Sequence, residues 1–123
     1  MAITNNEITV GSTVNVLPNN AAVPAGKNYA ITGLLLTNIG AEDPTGANDS
    51  VFTIHAIASG GVGDASNYIV NTALLPGAET FTLDTEKIIL GAGDHIDISV
   101  AGTGQAGNTA PKNVSAVLSY LEV

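Results

Sequence analysis

The sequence contains no cysteine, no arginine and no tryptophan, a single methionine, and only three tyrosines and two phenylalanines. Each absence removes a class of function. Without cysteine there is no disulfide framework, no thiolate zinc site and no cysteine nucleophile, although the redox compartment stays open. With Lys27, Lys87 and Lys112 as the only basic residues besides histidine, no basic face can neutralise a run of phosphates, so nucleic acid is not an expected partner. Aliphatic runs such as Leu34-Leu35-Leu36 fall far short of the ~20 residues that span a bilayer, so no membrane partner is expected. The opening residues Met1 to Glu7 lack the basic start and apolar stretch of a secretory signal, which leads us to expect a soluble protein made without export.

What is present is a chain of 123 residues, 45% apolar, with 14 glycines and a formal net charge of −8. That length suits one domain and the apolar content suits a packed core. Val, Ile and Thr dominate the regular segments, and Gly, Pro, Asn and Asp interrupt them at the spacing of an all-β sandwich or barrel. About eight strands are predicted. They cover Ile8 to Leu17 (interrupted at Gly11-Ser12), Tyr29 to Ile39, Val51 to Ala58, Tyr68 to Leu74, Thr80 to Asp84, Ile88 to Leu90, His95 to Val100 and Val114 to Leu121. Tyr29 to Ile39 is apolar on both sides and reads as a central strand. Ile96, Ile98 and Val100 alternate strictly with His95, Asp97 and Ser99, as on a strand with one wet face. Asp64 to Leu75 also admits a short helix. No segment sustains a 3.6-residue apolar period, so the crossover helices of an α/β fold are missing.

One short pattern recurs. Val23-Pro24-Ala25-Gly26-Lys27, Leu75-Pro76-Gly77-Ala78-Glu79 and Leu90-Gly91-Ala92-Gly93-Asp94 each place an apolar residue, a Pro/Gly turn and a charge before a strand. Pro presets φ for a turn, Gly supplies the positive φ, and the charge stays in water. Two longer loops stand apart, Gly40 to Ser50 and Gly102 to Lys112.

Few residues invite chemistry. Gly102-Thr103-Gly104-Gln105-Ala106-Gly107 matches G-x-G-x-x-G, but Asn108 to Lys112 and another strand follow where a dinucleotide site needs a helix; a hairpin loop is expected. Glu42, Asp43, Asn48 and Asp49 gather oxygen ligands of the kind Ca²⁺ prefers, yet the alternating ligands and terminal Glu of an EF-hand are missing, so a solvated acidic loop is expected. Asp94, His95 and Asp97 cluster, but His95 and Asp97 share the wet face of a strand and no third strong ligand is close to that pair in sequence. His55, alone in an apolar strand, reads as a satisfied core or interface residue. The nucleophile signatures G-x-S-x-G, S-x-x-K and H-E-x-x-H are absent. The Asn48-Asp49-Ser50 and Asn113-Val114-Ser115 sequons carry no meaning without secretion. Neither catalytic, cofactor-binding nor metal-binding residues are assigned, and no enzyme is expected.

Val23 to Lys27, followed by Ile31-Thr32-Gly33-Leu34-Leu35-Leu36 and Asn38, resembles the opening of small virion structural proteins of tailed bacteriophages. Leu90 to Ile96 is similar to their middle, and Val114 to Val123 to their closing strand. The likeness runs from about Val14 to Val123 and leaves out the acidic loop Glu42 to Ser50. It implies an antiparallel, jelly-roll-like β-sandwich over residues 8–123. Residues 1–7 are then expected to be an N-terminal arm ordered by a neighbouring subunit. It also implies a capsid decoration (cement) protein on the outer capsid surface, bound to the major capsid protein and self-associated, as a trimer. A tail adaptor or fibre component and a Ca²⁺-dependent carbohydrate-binding module are the alternatives.

Overall fold

The computed structural model describes residues 2–84 and 88–123. It contains nine strands: β1 (Ala2–Ile8), β2 (Thr13–Asn15), β3 (Tyr29–Asn38), β4 (Ser50–Ile57), β5 (Tyr68–Leu75), β6 (Thr80–Leu83), β7 (Ile88–Leu90), β8 (His95–Ala101) and β9 (Val114–Glu122). Among the described residues the one helical turn is a 3₁₀ turn at Pro18–Asn20. Met1 of the expected arm and Lys87 lie outside the described residues.

Two antiparallel sheets form. One runs β1-β9-β3-β6, with β7 lying in line with β6 along the same edge of β3; the other runs β2-β8-β4-β5. With β6 and β7 counted as one strand, eight strands divide between the sheets in the order 1-8-3-6 and 2-7-4-5. That interleaving is the double Greek key of a jelly roll. The all-β fold expected from strand spacing is therefore observed, as the β-sandwich that the resemblance implies, with nine strands among the described residues.

The period-2 patterns produce the core directly. In β8, Ile96, Ile98 and Val100 are buried while His95, Asp97 and Ser99 remain partly exposed. Phe52 and Ile54 of β4 meet them from the neighbouring strand, and Leu34, Leu36, Ala116 and Leu118 close the layer from the opposite sheet. Phe52 and Phe81 pack with ring centroids 4.9 Å apart and planes at 52°, joining the two sheets. Each fully buried aliphatic or aromatic side chain of this kind contributes about 1.5–3 kcal/mol.

Three expectations require correction. The segment expected as an arm is strand β1, registered on β9 of the same chain from Ala2↔Tyr120 to Ile8↔Val114. The strand expected over Ile8 to Leu17 is two strands in different sheets. Gly11 takes φ +86°, and the chain crosses from β1 to β2 there. Ile8 and Val16 are both fully buried because each reaches the core from its own sheet. The helix admitted over Asp64 to Leu75 is a turn followed by β5, whose residues pair with β4. β3 does take the central position expected of it, and of its Tyr29, Ile31 and Leu35 side the first two are buried while Leu35 is 43% exposed.

The three recurring turns share one geometry. The fourth residue donates its N–H to the first residue's carbonyl in each: Lys27 to Pro24, Glu79 to Pro76 and Asp94 to Gly91, at 3.2, 3.1 and 3.0 Å. The third residue is left-handed in each, at Gly26 (φ +78°), Ala78 (φ +66°) and Gly93 (φ +87°). In the second turn alanine holds this costly position and the glycine sits one residue earlier, at Gly77, where a Cβ would collide with the Ala41 carbonyl oxygen.

Candidate functional site

The two long loops come together at one end of the sandwich. Asn108, immediately after the glycine-rich stretch, donates through Nδ2 to the carbonyl oxygens of Gly46, Ala47 and Asp49 at 3.0, 3.3 and 2.8 Å. Its Oδ1 accepts from the Thr103 N–H at 2.9 Å. Ser50 adds a second tie, its hydroxyl donating to the Lys112 carbonyl at 2.6 Å and accepting from the Lys112 N–H. Asn38, 1% exposed, donates to the Asn48 and Leu75 carbonyls and accepts from the Gly40 N–H. The G-x-G-x-x-G match thus belongs to a loop that precedes β9 and is stapled to the acidic loop.

The acidic loop borders an open cleft of about 520 Å³ lined by Glu42, Asp43, Asp49 and Glu79 among others. Its carboxylates are used locally. Asp43 accepts from the hydroxyl and the N–H of Thr45 at 2.6 and 2.9 Å, which holds its carboxyl below the usual carboxylate range. Asp64 is lowered in the same way by Ser66. Among the described residues no group of three His, Asp or Glu side chains converges to hold a cation.

The histidine clusters separate on inspection. His55 lies directly across from Asp97 in the β4/β8 register. It stacks on Tyr68 at 4.5 Å, and its Nδ1 lies 2.6 Å from Asn67 Oδ1. Asn67 Nδ2 is committed to the Val62 carbonyl, so the imidazole N–H is the donor to Oδ1. His95 Nε2 stands 3.6 Å from Asp97 Oδ2. Asp94 points elsewhere: its two oxygens accept from the N–H groups of Ser59 and Gly91 at 2.9 Å each and close the turn before β8. The three residues grouped by sequence do not share a site. Both sequon asparagines hold structure as well; Asn113 accepts from Val10 N–H and donates to Glu7 at 2.8 Å.

A different surface stands out, and no motif marks it. On the outer face of the β1-β9-β3-β6 sheet, registers align Asn5, Val117, Leu35 and Thr82 in one row, and Ile3, Ser119 and Gly33 in the next. Ile89 of β7 and Leu121 of β9 flank Ala30 beyond them. Ile3, Leu35 and Ile89 are 60%, 43% and 57% exposed, too open to be core. The strand positions on this face carry one charge, Glu7, at one end. Gly33 leaves a groove of about 320 Å³ between Ile3, Leu35, Val117 and Leu83, with the carboxylate residue Asp84 also lining it. A β-bulge between Ile31 and Gly33 shapes it, and a Cβ at Gly33 would press on Ser119 Oγ at 3.1 Å. Alternation in β1, β3 and β9 contains the signal, but only the register shows that these residues join into one patch.

No protein-family model matches the sequence, and no curated protein matches it either. Among solved structures the chain is similar to one of infectious bursal disease virus, Gx strain, at 13% identity and a TM-score of 0.43. That match covers 94% of this chain and 29% of that chain, so this chain spans under a third of its length.

Proposed function

We propose that this chain is a virion structural protein, and within that class a capsid decoration protein that binds the outer capsid surface through protein–protein contacts. The observation that carries the reading is the partly apolar outer face of the β1-β9-β3-β6 sheet, whose charges are Glu7 at one end and Asp84 beside the groove, on a chain of net charge −8. Contiguous exposed apolar surface on an otherwise well-solvated domain is the physical mark of a protein-binding face. The jelly-roll strand order is compatible, since that architecture builds capsid domains, although it also builds lectins and other unrelated proteins. Acidity elsewhere keeps the free protein soluble and turns it away from packaged nucleic acid. The partner is the major capsid protein, and binding the assembled shell would stabilise it by mass action. The protein acts by contact and not by catalysis.

The test is cosedimentation of the purified chain with empty capsids, together with the thermal stability of those capsids and the copy number of the chain per particle. Binding, a raised capsid melting temperature and a copy number in the hundreds are expected. A chain that neither binds capsids nor raises their stability sinks the reading, and a copy number of a dozen or fewer moves it to the tail.

A further inference from the structure

We propose that a second copy of this chain pairs with β1, edge to edge and antiparallel across a two-fold axis, so that the β1-β9-β3-β6 sheets of two copies become one continuous sheet. The sandwich has four sheet edges, and natural proteins protect such edges with short strands, bulges, Pro or Lys. Three of the four are protected here. β2 has three residues; β6 and β7, with four and three, share the opposite edge of their sheet, and the register on β3 jumps from Leu34↔Leu83 to Ile31↔Ile88 between them. β5 shifts register twice along β4 and holds Thr72 at φ +54°. β1 is the exception. Its seven residues, AITNNEI, contain no Pro, Lys or Gly and keep unbroken register with β9.

The edge is open and held ready. Among the described residues no backbone group or side chain outside β9 bonds the backbone N–H and C=O groups of β1. Its inward side chains are anchored instead. Thr4 Oγ1 donates to the Val16 carbonyl at 2.7 Å, and Asn20 Nδ2 donates to Asn6 Oδ1 at 2.8 Å. An edge already fixed in extended form loses little conformational freedom when a strand adds to it.

The sequence of β1 suits a second copy as that strand, because the edge pairs with itself without setting like charges opposite each other. Two chains of net charge −8 repel over most of their surfaces. β1 carries one charge, Glu7, already bonded by Asn113 Nδ2 at 2.8 Å. An antiparallel pairing centred on Asn5 sets Glu7 opposite Ile3 of the partner subunit and Thr4 opposite Asn6 of the partner subunit. No like charges then face each other, and the pattern is self-complementary, as a two-fold contact requires. Joining the sheets also merges the two outer faces around Ile3 and Leu35. The contact needs no capsid, and it yields a dimer in place of the trimer that the resemblance implies.

The test is sedimentation velocity on the full chain over a roughly hundredfold range of concentration, with a concentration-dependent dimer expected. Asn5→Lys, which places two ammonium groups on the two-fold axis, should raise the dimer dissociation constant roughly fivefold or more. Because the chain has no cysteine, Asn5→Cys supplies an independent reading that does not depend on folding stability. Cα atoms of directly paired antiparallel residues lie ~4.5–5.5 Å apart, within disulfide reach, so mild oxidation should give a covalent dimer. Leu74→Cys, on the bulged β5 edge and 56% exposed at that site, should not cross-link. A monomer at every concentration, a trimer, or equal cross-linking of the two cysteine variants overturns the proposal. So does β1 amide protection that arises only on capsids, which would assign the added strand to another protein.

Discussion

Asn108 holds Asp49 by its main chain: the Asn108 side-chain amide donates to the Asp49 carbonyl oxygen at 2.8 Å, between loops 59 residues apart in sequence. The same amide also reaches the Gly46 and Ala47 carbonyls, and the Ala110 N–H donates to Ala47 at 2.9 Å. One short side chain thus joins the glycine-rich loop to the acidic loop. Backbone carbonyls that lose such a donor are left to water or to nothing.

Asn108→Ala should therefore lower stability by about 1–3 kcal/mol. Hydrogen exchange should quicken in residues 40–50 and 102–112 while β4 and β8 stay protected. Uniform exchange across the chain would mean that the tie does not organise these loops.

The turn before β6 allows a stabilising change. Ala78→Gly removes a left-handed Cβ at φ +66° and should raise stability by about 0.5–1 kcal/mol. Gly77→Ala should do the opposite, because its Cβ would collide with the Ala41 carbonyl. Thermal melts of the two variants check both signs.

Phe52 is 1% exposed and bridges the sheets through Phe81. Phe52→Ala should cost about 3–5 kcal/mol, enough to unfold much of the population of a small domain. Phe52→Leu should cost less, since it keeps most of the buried volume. Urea denaturation resolves the two.

The pH dependence follows from Asp43 and Asp64. Their folded pKa values are lowered, by Thr45 and by Ser66 respectively, with a smaller contribution from His55 at Asp64. A depressed carboxyl stabilises the fold fully above its unfolded pKa, and that contribution is lost as pH falls through the lower, folded pKa. Both groups are solvent-exposed, so the effect on global stability should be slight and confined to the acid end. Thr45→Val should raise the Asp43 pKa towards its ordinary value and leave Asp64 unchanged, as read by carboxyl chemical shifts in an NMR titration. A Ser66→Ala variant should show the converse.

The outer face can be tested without disturbing the core. Leu35→Lys replaces a side chain that is 43% exposed and should leave the melting temperature nearly unchanged. Capsid affinity should fall about tenfold if Leu35 is central to the contact. Undiminished binding would move the capsid contact to another surface.

Local patterns determined much of this protein. The alternation in His95 to Val100 predicted which face of β8 is wet, and the three Pro/Gly turns were visible with their positive-φ positions, Ala78 excepted. Both follow from steric preferences that act within a few residues. Local signals also misled. Ile8 to Leu17 reads as one strand because burial on either sheet leaves the same apolar letters. Residues 1–7 read as an arm because a strand exposed on one side and rich in Asn and Thr, as Ala2 to Glu7 is, carries little apolar signal.

Tertiary structure alone decided the rest. Asn108 near Asp49, Asp94 turned away from Asp97, and Ile3 beside Gly33 and Leu35 are all consequences of pairing order and register, which bring together residues far apart in the chain. The missing cysteine excludes thiolate chemistry, and the missing arginine with only three lysines excludes a broad basic face. The exposed face and the open edge at β1 exist only once the sheets have formed, because an edge or a face belongs to the assembled sheet and not to any segment of sequence.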